Sequence, residues 1–384
     1  MTERSKLLTP GPTSVPPSVL EALAEPVLHH RGPDFKEIFT ETLDQLRVVF
    51  RTEHDVLVFT CSGTGAFESS FVNLLSPGER ILCVSSGEFG ERWQKMGAAF
   101  GLDVVKLAYA WGETPDPLDL ERALAESGAK VVVLVHSETS TGVVCDLQAL
   151  LEVANAAGAL SIVDAISSIG AVPLETDTWG ADVVVTGSQK ALMTPPGLAF
   201  AAISPRAWER SERATLPRFY FDWERARKAQ EKGSTAATPA TSTVAALHVA
   251  LGELLADGIE MSFARHRALG RACRAGLKAM GLELYSPDED RSAVLTAALT
   301  PEGVDAPALR LALRKRHGLE IAGGHGDIAH RLFRIGHIGY VTIDDIERAM
   351  DAVTEELRNA GADVPESAAR EAARAAYADA VAPA

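Results

Sequence analysis

Short apolar runs recur along the chain at Val56–Phe59, Arg80–Val84, Val104–Leu107, Val131–Val135, Leu160–Val163 and Asp182–Val185, and between them lie helix-patterned stretches such as Leu147–Ala157. Apolar runs without strict alternation suit strands buried on both faces. Helical segments between them predict βαβ crossovers and a mostly parallel sheet. A further run, Leu198–Ile203, reads as a strand returning beside the one before it. Phe219–Lys232 is charged and aromatic, and Gly233–Pro239 is a loop or linker without helical signal. Thr243–Ala256 and Phe263–Met280 then read as two helices, the first leading out of a large domain and the second opening a small one. There the pattern continues as strand Arg291–Leu299, helix Ala306–His317, strand Phe333–Ile338 and helix Ile343–Asn359. Pro365–Ala384, rich in Ala, Glu and Arg, reads as a loosely attached helix or a disordered tail. The expected organisation is an arm over 1–14, a large α/β domain over 15–257, a smaller α+β domain over 258–362 and a tail over 363–384.

Composition narrows the function classes. The 384 residues suffice for two cores, and 46% hydrophobic with 23% charged residues is ordinary for a globular protein. A formal charge of −15 argues against nonspecific binding to nucleic acid or to an anionic membrane. No apolar run follows the start Met1–Lys6 and no stretch approaches membrane-spanning length, so the expected location is the cytoplasm. Cys61, Cys83, Cys145 and Cys273 are widely spaced and without a CxxC pair, which suits buried small apolar residues better than disulfides or a metal site.

The chemistry gathers around Lys190, in the run Thr186–Leu192 that leaves the apolar strand Val183–Val185. A lysine alone is most simply a solvated surface group. Asp164, 26 residues before it at the end of a second apolar strand, changes that. An acid and a lysine ending two strands of one α/β unit match the needs of pyridoxal phosphate: an imine-forming amine, and a carboxylate that keeps the pyridine nitrogen protonated. Ser62-Gly63-Thr64-Gly65-Ala66, between a strand and a helical stretch, is either a Gly-rich connector or a phosphate loop at a helix N-terminus. It lacks the GxxxxGK[ST] pattern, and no GxGxxG follows the first strand, so nucleoside triphosphate and dinucleotide readings lose ground. The Thr139 hydroxyl, after strand Val131–Val135, can bond the phenolate oxygen of the cofactor ring, and Phe89 can stack on that ring or serve as core. Arg334 interrupts an apolar run; a substrate α-carboxylate or an internal salt bridge would satisfy it. His325 and His330 read as polar loop residues without a third metal ligand.

Taken together, the order of Leu8–Thr13, His29-His30-Arg31, the SGTG loop, ETSTG, VDAISS, GSQKAL and FRIGHIGY resembles the class V aminotransferases of fold type I, in particular the alanine–glyoxylate, serine–glyoxylate and serine–pyruvate group. The resemblance covers the chain up to the tail. It implies Lys190 as the imine lysine, Asp164 as the partner of the pyridine nitrogen and Arg334 as the clamp on the substrate carboxylate. Thr64, Gly65, Ala66 and Gln189 match the family's phosphate-binding positions, and Thr139 its ring-oxygen contact. Thr235 and Thr238 match positions that complete the phosphate site of a second subunit, which implies a homodimer with shared active sites. Phe89 stands where some members carry tryptophan, and Thr235 where some carry tyrosine.

The implied reaction is ping-pong transamination from a small amino acid, alanine or serine, to glyoxylate or pyruvate, with pyridoxal 5′-phosphate as cofactor and no metal. Two rivals stand beside it. A cysteine desulfurase-like lyase needs a mobile thiol, and Cys273, the only cysteine of the small domain, falls in a helical stretch. A non-catalytic subunit that kept the fold would have no use for Lys190, Asp164 and Arg334 together. A donor with a second carboxylate would want a second arginine, for which Arg31 is the candidate.

Overall fold

The computed structural model describes residues 5–382; residues 1–4 of the expected arm and 383–384 of the expected tail lie outside the described residues. Seven strands form the larger sheet, in the order Asp55–Phe59, Ala199–Ile203, Val183–Gly187, Leu160–Asp164, Val131–Val135, Arg80–Ser85 and Asp103–Ala108. Ala199–Ile203 runs antiparallel to both neighbours, and the other adjacent pairs are parallel. Every residue of Leu160–Asp164 and Val183–Gly187 is buried, which is why these strands show no polar alternation. Helices Pro33–Phe50 and Thr241–Leu255 cover one face, bringing Phe35, Phe39, Phe50 and Leu247 into its core. Phe67, Phe71, Trp93 and Trp223 fill the other face. Each such fully buried side chain contributes about 1.5–3 kcal/mol of transfer free energy, so this double cover fixes the sheet edge on which the loops sit.

A second sheet runs Lys6–Leu8, Leu319–Gly323, Leu332–Gly336, Leu295–Leu299, with Lys6–Leu8 parallel to its neighbour and the other pairs antiparallel. The start of the expected arm is therefore an edge strand of the small sheet. The chain beyond it lies against the lysine loop: the Thr13 N–H donates to Gln189 O at 3.1 Å, and its hydroxyl to Lys190 O at 3.0 Å. Strand Leu319–Gly323 is additional to the elements expected from the sequence, and the flanking strands are shorter than their apolar runs. A small cluster of Val144, Ala191, Leu295, Leu332 and Ile338 joins the two sheets beside the lysine loop.

Of the two expectations for the tail the helix is the one found, docked rather than loosely attached. Ala368–Val381 is a helix docked on Ile259–Ala279 and Ile343–Asn359, with Ala369 and Ala373 buried in the core that covers the second sheet. Arg370 and Arg374 reach the Glu347 carboxylate at 3.1 and 2.5 Å. Small alanines seat this helix closely, and two arginines neutralise an acid that the docking covers. Among the described residues no single helix is long and apolar enough to cross a membrane.

Candidate active site

Parallel strands send their C-terminal ends to one edge of the larger sheet, where loops diverge and ligands bind in open α/β sheets. Asp164 closes its strand there and is 4% exposed. Its Oδ2 accepts from Trp93 Nε1 and its Oδ1 from the Ile166 N–H, both at 2.9 Å. Burial pushes its carboxyl up to about 6 against these two donors. A protonated pyridine nitrogen would supply the cation this acid lacks.

Lys190 follows the next strand and donates from Nζ to Pro10 O at 2.7 Å. Burial brings its amine down to about 8; Asp164 opposes the shift, and the charges of Arg334 and Arg92 add to it. Gly11 leaves room for this side chain, since a Cβ there would lie 2.4 Å from Nζ. Gln189 Oε1 is buried without a hydrogen-bond partner. Thr64, Gly65 and Ala66 lie in the first turn of helix Gly63–Leu74, which no side chain caps, so its positive end is open to an anion. The turn packs tightly: a Cβ on Gly63 would lie 2.7 Å from Ile166, and one on Gly65 2.9 Å from Cys61 Sγ.

Arg334 comes from the small sheet and is 6% exposed. Its Nε donates to Gly323 O at 2.7 Å, Nη1 to Thr139 O, and Nη2 lies 3.0 Å from His325 Nε2. The internal salt bridge considered from the sequence is not formed among the described residues. Three of the five N–H groups are engaged, which leaves one on each terminal nitrogen, the pair a carboxylate takes. Burial holds this guanidinium down to about 10. Thr139 is 2% exposed, and its hydroxyl has no partner among the described residues. Phe89 lies at the start of helix Glu88–Ala99 with Arg92 4.6 Å from its ring.

Thr235 and Thr238 form no hydrogen bond to this group among the described residues; their loop lies beside Thr60, at the end of strand Asp55–Phe59. Thr235 bonds locally to Ala237 O at 2.7 Å, and Thr238 is exposed on the same loop. Arg31 is exposed as well. Trp93, Glu138 and His325 belong to the site although nothing in the sequence singled out Trp93 or Glu138, and His325 read as a polar loop residue. Trp93 carried one signal, a large apolar ring on the same helix face as Phe89, four residues on. Cys273 is fully buried, and burial pushes its thiol up to about 12, far from a mobile nucleophile.

The residues present fit pyridoxal phosphate: a buried acid, a lysine of lowered basicity and an uncapped helix end converge on one sheet edge. Comparison with known proteins agrees. The model of the aminotransferase class-V family matches residues 7–348. The soluble hydrogenase 42 kDa subunit of Anabaena cylindrica is 43% identical over 90% of this chain and 91% of its own. The L-aspartate–glyoxylate aminotransferase of Paracoccus denitrificans is 36% identical (89% and 88% covered), and the serine–glyoxylate aminotransferase of Methylorubrum extorquens is also 36% identical (88% and 87%). Among solved structures, the ureidoglycine–glyoxylate aminotransferase of Bacillus subtilis superposes with a TM-score of 0.92 at 30% identity, over 98% of this chain and 99% of that one.

Proposed function

The chain belongs to the class V aminotransferases, and we propose that it moves the amino group of alanine or serine to glyoxylate or pyruvate in two half-reactions through a single site. The enzyme is a pyridoxal-phosphate-dependent aminotransferase of fold type I. When bound, the cofactor supplies an aldehyde that takes the donor's amine and a ring that withdraws electrons from Cα. In this reading Lys190 is the base that holds and moves the Cα proton, and its lowered basicity suits a group that must be both protonated and free near neutral pH. Asp164 holds the proton of the pyridine nitrogen; Thr139 bonds the ring oxygen, and Phe89 carries the ring face. Thr64, Gly65, Ala66 and Gln189 hold the phosphate, with Thr235 and Thr238 of a second subunit completing its site in a homodimer. The cytoplasm is the proposed location.

The observation that carries the substrate side is Arg334: a buried guanidinium with one spare donor on each terminal nitrogen and no ion pair among the described residues, whose charge is felt at Lys190. One arginine of this kind suits a monocarboxylic amino acid. A second reading, with aspartate as donor, has a specific feature in Arg92, a half-buried cation over Phe89 that forms no ion pair among the described residues. Two of the relatives carry hydrogenase subunit names. Among the described residues, the one grouping of three potential metal ligands is His317, Glu355 and Glu356, which contains no cysteine.

The deciding experiment is an absorbance spectrum of the cofactor-loaded protein, to which alanine, serine and aspartate are added separately. A band at roughly 420 nm that is lost with alanine or serine and restored by glyoxylate or pyruvate supports the proposal. Loss with aspartate alone favours the second reading. A band that no donor alters sinks both.

A further inference from the structure

Glu138 has no part in the roles proposed above, yet it is 1% exposed and forms no ion pair among the described residues. Its Oε2 accepts from the backbone N–H groups of Phe89 and Gly90 at 3.0 and 3.1 Å. Its Oε1 accepts from the Ser140 N–H at 3.1 Å and the Ser140 hydroxyl at 2.5 Å. Ser140 Oγ in turn accepts from the Glu88 N–H at 3.0 Å. Four donors fill the acceptor positions of one carboxylate and leave no place for a proton of its own, so the anion persists although burial pulls its carboxyl upward. Gly87 is part of the same fit, because a Cβ there would lie 2.4 Å from Ser140 Oγ and 2.6 Å from Glu138 Cγ.

The helix start and the loop that meet on this carboxylate carry Phe89 and Thr139, and the Thr139 carbonyl receives Arg334. We propose that Glu138 is a positioning residue that ties the platform under the cofactor ring to the clamp for the donor carboxylate, so that ring and donor keep a fixed relation. The inference rests on the roles proposed for Phe89, Thr139 and Arg334. Its chemistry is an arrangement of backbone donors around one charge; Glu138 itself touches neither donor nor cofactor.

Glu138→Gln keeps the volume but turns one oxygen into an NH2 group that opposes two of the donors. The apo-form of the variant is expected to bind pyridoxal phosphate about tenfold more weakly. The loaded form is expected to bind 2-methylalanine, which has the donor's amine and carboxylate but no Cα hydrogen, about tenfold more weakly as well. Both constants come from spectral titration, with the melting temperature measured alongside. Both constants unchanged, with or without a lower melting temperature, overturn the proposal, and so does a change confined to one of them. If the variant does not fold, Ser140→Ala, which removes one donor from Oε1 and the acceptor of the Glu88 amide, decides in the same way: about a threefold loss in both constants supports the proposal, and none overturns it. Should the wild-type protein itself fail to bind 2-methylalanine, the amino-donor reading fails on its own account, and an unchanged cofactor constant in Glu138→Gln is then the result that overturns the positioning role.

Discussion

Lys190 is a half-buried amine whose ordinary basicity has been suppressed to about 8, and only its neutral form is a nucleophile toward an aldehyde. The rate at which apo-protein takes up pyridoxal phosphate is therefore expected to rise as pH passes about 8 and to level above it, followed by stopped-flow absorbance; a flat profile would place the titrating group elsewhere. Lys190→Ala is expected to abolish transamination while leaving the far-ultraviolet circular dichroism unchanged, and substantial residual turnover would dismiss the lysine as the base. Arg334→Lys replaces a planar fork by a point charge, so the Michaelis constant for the donor should rise by roughly ten- to a hundredfold with a smaller change in kcat. An unchanged Michaelis constant would show that the guanidinium serves only Gly323, Thr139 and His325. Lys190, Asp164 and Arg334 were legible in the sequence because each is a charged side chain set into or just after an apolar run. Trp93 and Glu138 were not, because their importance lies in partners far along the chain or in backbone N–H groups: the indole meets Asp164 across 71 residues, and Glu138 meets Phe89 across 49.

Secondary structure shows the same division between what burial writes into a pattern and what it does not. The strands of the larger sheet stand out because both faces are covered and apolar residues run without interruption. Lys6–Leu8 has only three residues, and Leu319–Gly323 mixes Glu320 and Gly323 with its apolar positions, so neither produces a run. The helix over Ala368–Val381 was one of two expectations for the tail, but its firm docking was not legible for a related reason: its seated face is Ala369 and Ala373, whose small side chains carry little hydrophobic signal among Arg and Glu. What anchors it is electrostatic as well as apolar. Arg374 and Arg370 hold the Glu347 carboxyl below its usual range, so the folded state binds fewer protons there than the unfolded chain. That contribution is present above the ordinary glutamate range and is lost as pH falls through the lowered value. Deleting residues 364–384 is expected to lower the melting temperature by roughly 3–6 °C at neutral pH. The deficit should shrink as the pH is brought below about 4. A deficit that stays constant across that range would mean the helix is held by alanine packing alone.

Across the full chain, the arrangement of the phosphate-binding candidates is what argues for a pair of subunits. Thr64, Gly65 and Ala66 open the helix after the edge strand Asp55–Phe59 and Gln189 precedes Lys190, whereas Thr235 bonds only to Ala237 O and Thr238 is exposed on a loop beside that edge strand, where a neighbouring subunit could be reached. If the proposed homodimer forms, light scattering should return about twice 40.8 kDa. A stricter test uses two inactive subunits. Lys190→Ala removes the base, and Thr238→Glu sets a carboxylate against the phosphate of whichever site this loop serves. In a mixed dimer with exchanged loops, one site carries both lesions and the other carries neither. Random re-association makes about half of the dimers mixed, so about a quarter of wild-type turnover should return from two inactive parents. If the loop instead served its own subunit, each site of the mixed dimer would carry one lesion, and the mixture would stay as inactive as its parents.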